Sequence, residues 1–370
     1  MPTYHPLPDV LDRLTRHLQS GENVVLTGHR RIGKTLLMEH LEKNAPDGFV
    51  PSYLIVESVD TVNEFYRKLV AHLSERFIGH WEKAGRSVQH WFGKLNIEEI
   101  GRNIRLGDPR QIDYHAEFRS LLEGLEPDRP IALMLDEFPQ AIENIRDGEG
   151  PSEVRRLLTT QREFCQEPRY KDKVRFVYAG SIGLQNVVEG MGFTKHINDL
   201  REVEMRPFHR QEAERYLECL LSHRGLEASA ETSALILDKI DWLAPFFISL
   251  LVDGINDSPV EAGHIDAAFA ASLRHRNNFE HWHRRLKPPA LQQEEYRFCK
   301  ALLNLAADPG NSGIDQGEIF NLAVTHGVED EVSRLLNILG HDGYLVRGPQ
   351  QLHRFISPVI RAWWWNEIAN

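Results

Sequence analysis

The sequence predicts an α/β protein built on a parallel sheet, followed by a helical segment and closed by three helices and a hairpin. Three observations lead there. Short apolar runs, each stopped by small or acidic residues, alternate with helical spacing through residues 1–208. Residues 209–288 read as helices alone, and residues 289–370 finish in two β-type runs around Gly348-Pro349. The motif Gly28-His29-Arg30-Arg31-Ile32-Gly33-Lys34-Thr35 lies between the first apolar run and the helix after it.

Taken in order, residues 8–18 place Val10, Leu11, Leu14 and Leu18 on one helical face, and Ser20-Gly21 stops that helix. Asn23-Val24-Val25-Leu26-Thr27 is the first strand, and residues 36–41 continue the motif as a helix. A second strand is predicted over 50–56. Residues 61–126 are mostly helical in pattern, with a less regular stretch near 93–113 that suits a small hairpin or loop. Ile131-Ala132-Leu133-Met134-Leu135 is too short for a helix and is closed by Asp136-Glu137. A helix near 152–165 precedes the fourth strand, residues 174–178, which ends in Ala179-Gly180-Ser181. Such alternation implies crossover connections and a parallel sheet.

Further helices are predicted over 211–223, 230–243, 245–254 and 264–274. From about residue 290, three helical stretches precede residues 343–347 and 352–356, the outline of a winged helix. The domain division expected is therefore 1–208, 209–288 and 289–370.

The chain has 370 residues, 41% hydrophobic, enough for two or three cores. A net charge of -11 argues against a general nucleic-acid binder. Cys165, Cys219 and Cys299 form no CxxC pair, which argues against a disulfide framework or thiolate zinc site and fits a reducing cytoplasm. The start Met1-Pro2-Thr3-Tyr4-His5 lacks the pattern of a signal peptide. No apolar run approaches the roughly 20 residues needed to span a bilayer. The expectation is a cytoplasmic protein with no membrane association.

The chemistry concentrates in residues 28–35. Glycines let backbone N–H groups curl around phosphates, and the following helix turns its positive end toward them. Lys34 is suited to the β- and γ-phosphates, and the Thr35 hydroxyl to magnesium. A carboxylate at a neighbouring strand end is the usual second anchor for that ion, and Asp136 meets the need. Glu137 is then placed to polarise the attacking water as general base. Ser181, after the fourth strand, is a candidate sensor of the γ-phosphate or the lytic water. Residues Gly28, His29, Arg30, Arg31, Ile32, Gly33, Lys34, Thr35 and Leu36 make up the expected nucleotide-binding segment.

With those residues in view, the chain resembles P-loop ATPases of the STAND/AAA-plus-like group, in particular the archaeal-ATPase-like family also found in bacteria. The resemblance rests on Arg30-Arg31-Ile32-Gly33-Lys34-Thr35, Leu135-Asp136-Glu137-Phe138 and Ala179-Gly180-Ser181. Leu200-Arg201 leading to Arg206-Pro207-Phe208, and Arg354-Phe355-Ile356-Ser357-Pro358, extend it. It implies a sheet of the ASCE type in the order 5-1-4-3-2, with an additional strand between the phosphate loop and the acidic strand. A helical lid and a winged helix follow. It also implies ATP with Mg2+ as cofactors, slow hydrolysis, and a switch acting on a protein partner or by self-assembly. The family's lid carries a Gly-x-Pro element at the adenine; Leu243-Ala244-Pro245 departs from it by lacking the glycine but keeps the proline, and the resemblance carries Pro245 over as the base contact.

Arg155, Arg156, Arg162 and Arg201 are candidates for a transition-state arginine. Arg274-His275-Arg276 and Arg284-Arg285-Leu286-Lys287, around His281-Trp282-His283, form a basic cluster with aromatics that suits a phosphate backbone or a solvated linker. The expected recognition helix, near 329–339, starts Glu-Asp-Glu, which argues against reading DNA sequence. The pairs His80-Trp81 and His90-Trp91 lack metal-ligand spacing, and Trp363-Trp364-Trp365 reads as core packing. A DNA-handling ATPase of loader, transposition or defence type, and a scaffold that binds nucleotide without turnover, remain the alternative readings.

Overall fold

The structure, a computed structural model, describes residues 7–81, 98–100, 103–105, 112–274, 276–287 and 291–369. His90-Trp91 and His275 fall outside the described residues, as do the side chains of His80, Trp81, Arg276 and His281. In chain order the strands are β1 (Val24–Thr27), β2 (Val50–Ile55), β3 (Glu98–Ile100), β4 (Asn103–Arg105), β5 (Ile131–Asp136), β6 (Val174–Ala179), β7 (Arg201–Glu204), β8 (Leu345–Arg347) and β9 (His353–Phe355). β3 and β4 pair antiparallel, the small hairpin expected near 93–113.

The main sheet runs β2-β5-β6-β1-β7, and each neighbouring pair is parallel. Numbered as five sheet strands this is 2-3-4-1-5, the expected ASCE order read from the other edge. The additional strand expected between the phosphate-loop strand and the acidic strand is β6, which lies between β1 and β5 in the sheet. The fifth strand is β7, which follows β6 in the chain and was not predicted. Its Arg-Glu-Val-Glu run hides the strand in the sequence: on an edge only Val203 is buried. The central β5 and β6 are buried at every residue, as parallel strands covered on both faces must be.

The chain falls into two compact units. One holds Pro8–Thr27 and Lys34–Glu204, the other Gly28–Gly33 and Met205–Asn370. In the first, helices Val62–Trp81, Tyr114–Gly124, Phe138–Glu149 and Pro151–Gln166 bury Leu69, Phe118, Ile142 and Leu157 in one core with Leu133, Leu135 and Phe176 of the sheet. Helix Phe138–Glu149 was not predicted. Its Pro139 occupies the first helical turn, where its missing N–H costs nothing.

In the second unit, helices Arg210–Arg224, Ala230–Ile240, Pro245–Asp253 and Ala262–Arg274 match the expected segments to within a few residues. Helices Gln293–Ala307, Gln316–His326 and Val332–His341 precede the antiparallel β8–β9 pair, and Ile314 bridges His353 beside it. That is a winged helix. The acidic Glu329–Glu331 forms a 3-10 turn before helix Val332–His341 rather than its first turn. A last helix, Pro358–Trp364, buries Trp363 and Trp364 to 3% and 0% exposure, so two of the three tryptophans are core.

Candidate functional site

The first unit gathers three carboxylate and hydroxyl groups at the C-terminal ends of β5 and β6. Asp136 closes β5 and is 3% exposed. Its Oδ2 accepts from Thr35 Oγ1 at 2.7 Å and from Tyr53 OH at 3.0 Å, and its Oδ1 accepts from the Glu137 backbone N–H at 3.0 Å. Burial pushes the Asp136 carboxyl above its ordinary value, against the pull of the Thr35 hydrogen bond. Lys34 is buried at the start of helix Lys34–Lys43, and Thr35 beside it is exposed.

Glu137 takes a left-handed conformation, φ 57° and ψ 30°, before the helix it caps. A non-glycine residue there stores strain of order 1 kcal/mol. The turn is accommodated by Gly180 at the end of β6: a Cβ at that position would lie 2.6 Å from Pro139 Cδ. Glu137 Oε2 accepts from both the backbone N–H (3.0 Å) and the Oγ (2.9 Å) of Ser181. Ser181 thus stands where the sequence placed it, and its partner is Glu137.

The second unit holds the other part of the glycine motif. Gly28 has φ 131°, and a Cβ on it would meet the Met205 carbonyl at 2.8 Å, so only glycine lets the loop pass. Ile32 is buried to 1%. Each of the three residues between is matched to a different point of Met205–Asn370. His29 Nδ1 lies 2.8 Å from the Gly340 carbonyl, its ring edge-on to Trp242 at 5.6 Å. The Arg30 guanidinium lies over Trp282 at 5.9 Å, and Arg31 over Phe246 at 4.7 Å. Arg31 too is left-handed, φ 64°. Phe246 follows Pro245, which is buried at the first turn of helix Pro245–Asp253. Trp282 Nε1 donates to the Asp342 carbonyl at 2.7 Å. Burial works against the Asp342 carboxylate, yet Arg285, His341 and Arg30 hold its pKa below the ordinary value.

These contacts escape sequence reading because His29 and Gly340 are 311 positions apart. The basic cluster also changes character. Arg285 turns inward to Asp342 at 3.3 Å, which leaves Arg274, Arg284 and Lys287 exposed. Arg334, the basic residue of helix Val332–His341 beside its terminal His341, bonds Glu331 and Glu295. The four candidate arginines are all engaged locally: Arg155 over Phe193 at 5.7 Å, Arg156 with Glu153 at 2.6 Å, Arg162 on the Lys195 carbonyl at 2.6 Å, and Arg201 with Glu22 at 2.7 Å.

Thr35 and Asp136 offer hard oxygens, the donor set magnesium prefers. Among the described residues no group of three His, Cys, Asp or Glu forms a closed metal cage. An ion that keeps waters and phosphate oxygens in its shell suits such an open pair. Among the described residues no helix is long and apolar enough to cross a membrane.

No family model matches this sequence, and no curated protein sequence matches it either. Solved structures do. The fold is similar to that of the Walker-type ATPase of Pyrococcus abyssi, at 16% identity and a TM-score of 0.65, covering 96% of this chain and 94% of that one. It is also similar to the ORC2 protein of Aeropyrum pernix, solved in ADPNP–ADP complexes, at 14% identity and a TM-score of 0.57, covering 95% and 90%. At these identities what is shared is the fold, and it extends over nearly the whole length: the P-loop ATPase fold of the ASCE type with a C-terminal winged helix.

Proposed function

We propose that the chain binds and slowly hydrolyses ATP with magnesium, and that nucleotide state sets the arrangement of residues 209–288 and 289–370, a helical lid and a winged helix. The observation that carries this reading is the attachment of His29, Arg30 and Arg31 to Gly340, Trp242, Trp282 and Phe246. These three loop residues follow Gly28, where phosphates are expected. A change there alters the partners available to each, and by linkage a partner that rearranges the C-terminal helices alters nucleotide affinity by the same factor.

In this reading Lys34 and the loop N–H groups hold the phosphates, and Thr35 and Asp136 hold the metal. Bound magnesium would neutralise charge on the phosphate oxygens. Glu137 orients and deprotonates water. Ser181 holds the Glu137 Oε2, which orients the carboxylate and leaves Oε1 as the oxygen to accept from water. Pro245 contacts the base, and ATP over GTP follows from the family resemblance. The partner is a protein or a second copy of the chain; the inward turn of Arg285 disfavours DNA. A cytoplasmic setting suits three free cysteines, two of them buried.

The test is ATP turnover by wild type and Glu137→Gln, with and without duplex DNA, while assembly is followed by light scattering. Slow turnover indifferent to DNA, reduced about 10²–10⁴-fold in Glu137→Gln, supports the switch. Stimulation by DNA together with ATP-dependent assembly would replace it with the DNA-handling reading.

A further inference from the structure

Tyr53 had no role in the sequence, where it reads as one residue of an apolar strand. It lies on β2, in register with Met134 of β5, two positions before the Ile55–Asp136 pair. Its phenol donates at 3.0 Å to the same Asp136 oxygen that accepts from Thr35 at 2.7 Å. The strand beneath it is pinned as well. The Tyr53 backbone N–H donates to Glu42 Oε1 at 3.0 Å, and Arg76 holds that oxygen at 2.6 Å. Glu42 belongs to helix Lys34–Lys43, which begins with Lys34 and Thr35. The phenol and the Thr35 hydroxyl are therefore referenced to the same helix.

From this geometry we infer that Tyr53 is a positioning residue for the metal pair: its hydroxyl fixes the Asp136 carboxylate so that Thr35 and Asp136 present their oxygens together. Thr35 on Oδ2 and the Glu137 N–H on Oδ1 bracket the carboxylate. Tyr53, from a different strand, adds a second donor to Oδ2, so that oxygen keeps its place when Thr35 turns toward a metal. Outer groups that orient metal ligands in this way typically govern metal affinity by 10–100-fold.

The inference rests on the nucleotide reading and is tested by metal dependence rather than by turnover. Binding of a fluorescent ADP analogue would be titrated with Mg2+ in wild type, Tyr53→Phe, Asp136→Asn and the double variant, with melting temperature as the fold control. Tyr53→Phe keeps the ring and removes only the hydroxyl. It is expected to raise the Mg2+ concentration for half-saturation about tenfold, while metal-free affinity for the analogue stays within about twofold of wild type. In the Asp136→Asn background the same substitution should have no further effect, because the phenol acts through that carboxylate. An unchanged Mg2+ midpoint in Tyr53→Phe, or a shift of equal size without Asp136, overturns the inference alone. A wild type whose nucleotide binding ignores Mg2+ overturns it together with the nucleotide reading.

Discussion

The two parts of the glycine motif are held by different physics. From Lys34 onward the first unit uses short hydrogen bonds among oxygens: Thr35 and Tyr53 on Asp136, Ser181 on Glu137. From Gly28 to Gly33 the second unit uses guanidinium groups over aromatic rings, with one histidine on a carbonyl. Hydrogen bonds to a carboxylate are directional and fix a geometry to tenths of an ångström. Cation–π contacts tolerate sliding across the ring face. The oxygen cluster thus suits positioning of a reacting group, and the ring contacts suit a coupling that changes strength with arrangement. The contrast predicts that damage to one part weakens chemistry and damage to the other weakens stability and linkage.

The largest effect expected from this contrast is on the ring side. Asp342 is a buried carboxylate beside Arg285 and Arg30, with Trp282 on its own carbonyl. Removing one member of a buried pair leaves the other uncompensated and costs about 3–5 kcal/mol, so Asp342→Ala should lower the denaturant midpoint sharply. The pH dependence has a fixed sign. Asp342 is held below its ordinary value of 3.8 when folded. Its stabilisation is present above that value and is lost as pH falls through the folded pKa. Wild type should therefore lose stability below about pH 4 more steeply than Asp342→Ala. Equal slopes in acid unfolding would remove Asp342 from the coupling.

The oxygen side gives the next effect. Lys34→Ala removes a charged donor expected at the phosphates, each such bond being worth about 1.5–3 kcal/mol. ADP affinity should fall roughly 10–150-fold by calorimetry. Metal-free melting should move less than it does for Asp342→Ala. A variant that binds ADP normally would break the assignment of Lys34.

The same division explains what was legible in the sequence. Gly28, Lys34 and Thr35 are recognisable because they lie within eight consecutive positions, and Asp136-Glu137 because an apolar run ends there. The buried strands β5 and β6 are legible for the same reason, since every residue in them is covered. Tyr53 was not, because its partner is 83 positions away and an aromatic in a strand reads as core. Arg30 and Arg31 were legible as loop residues and expected at the nucleotide, but the rings that receive them come from Phe246 and Trp282. Chemistry that depends on local spacing can be read from one strand and one turn. Contacts made by tertiary packing leave no such trace, which is also why β7, with a single buried valine, passed unnoticed.

The smallest effect is the most diagnostic of the switch. Phe246→Leu keeps apolar bulk beside Arg31 and removes the ring face, which is worth about 0.5–2 kcal/mol. If Arg31 rests on Phe246 in one nucleotide state and leaves it in another, the substitution shifts the ratio of ATP to ADP affinity by roughly 2–30-fold. If the contact only props the loop, both affinities move together and their ratio stays constant. Competition binding with ADP and a non-hydrolysable ATP analogue separates the two outcomes. A ratio that moves in Phe246→Leu, but not in a Leu235→Ala control on exposed surface of the same unit, would place the coupling in the loop's arginines.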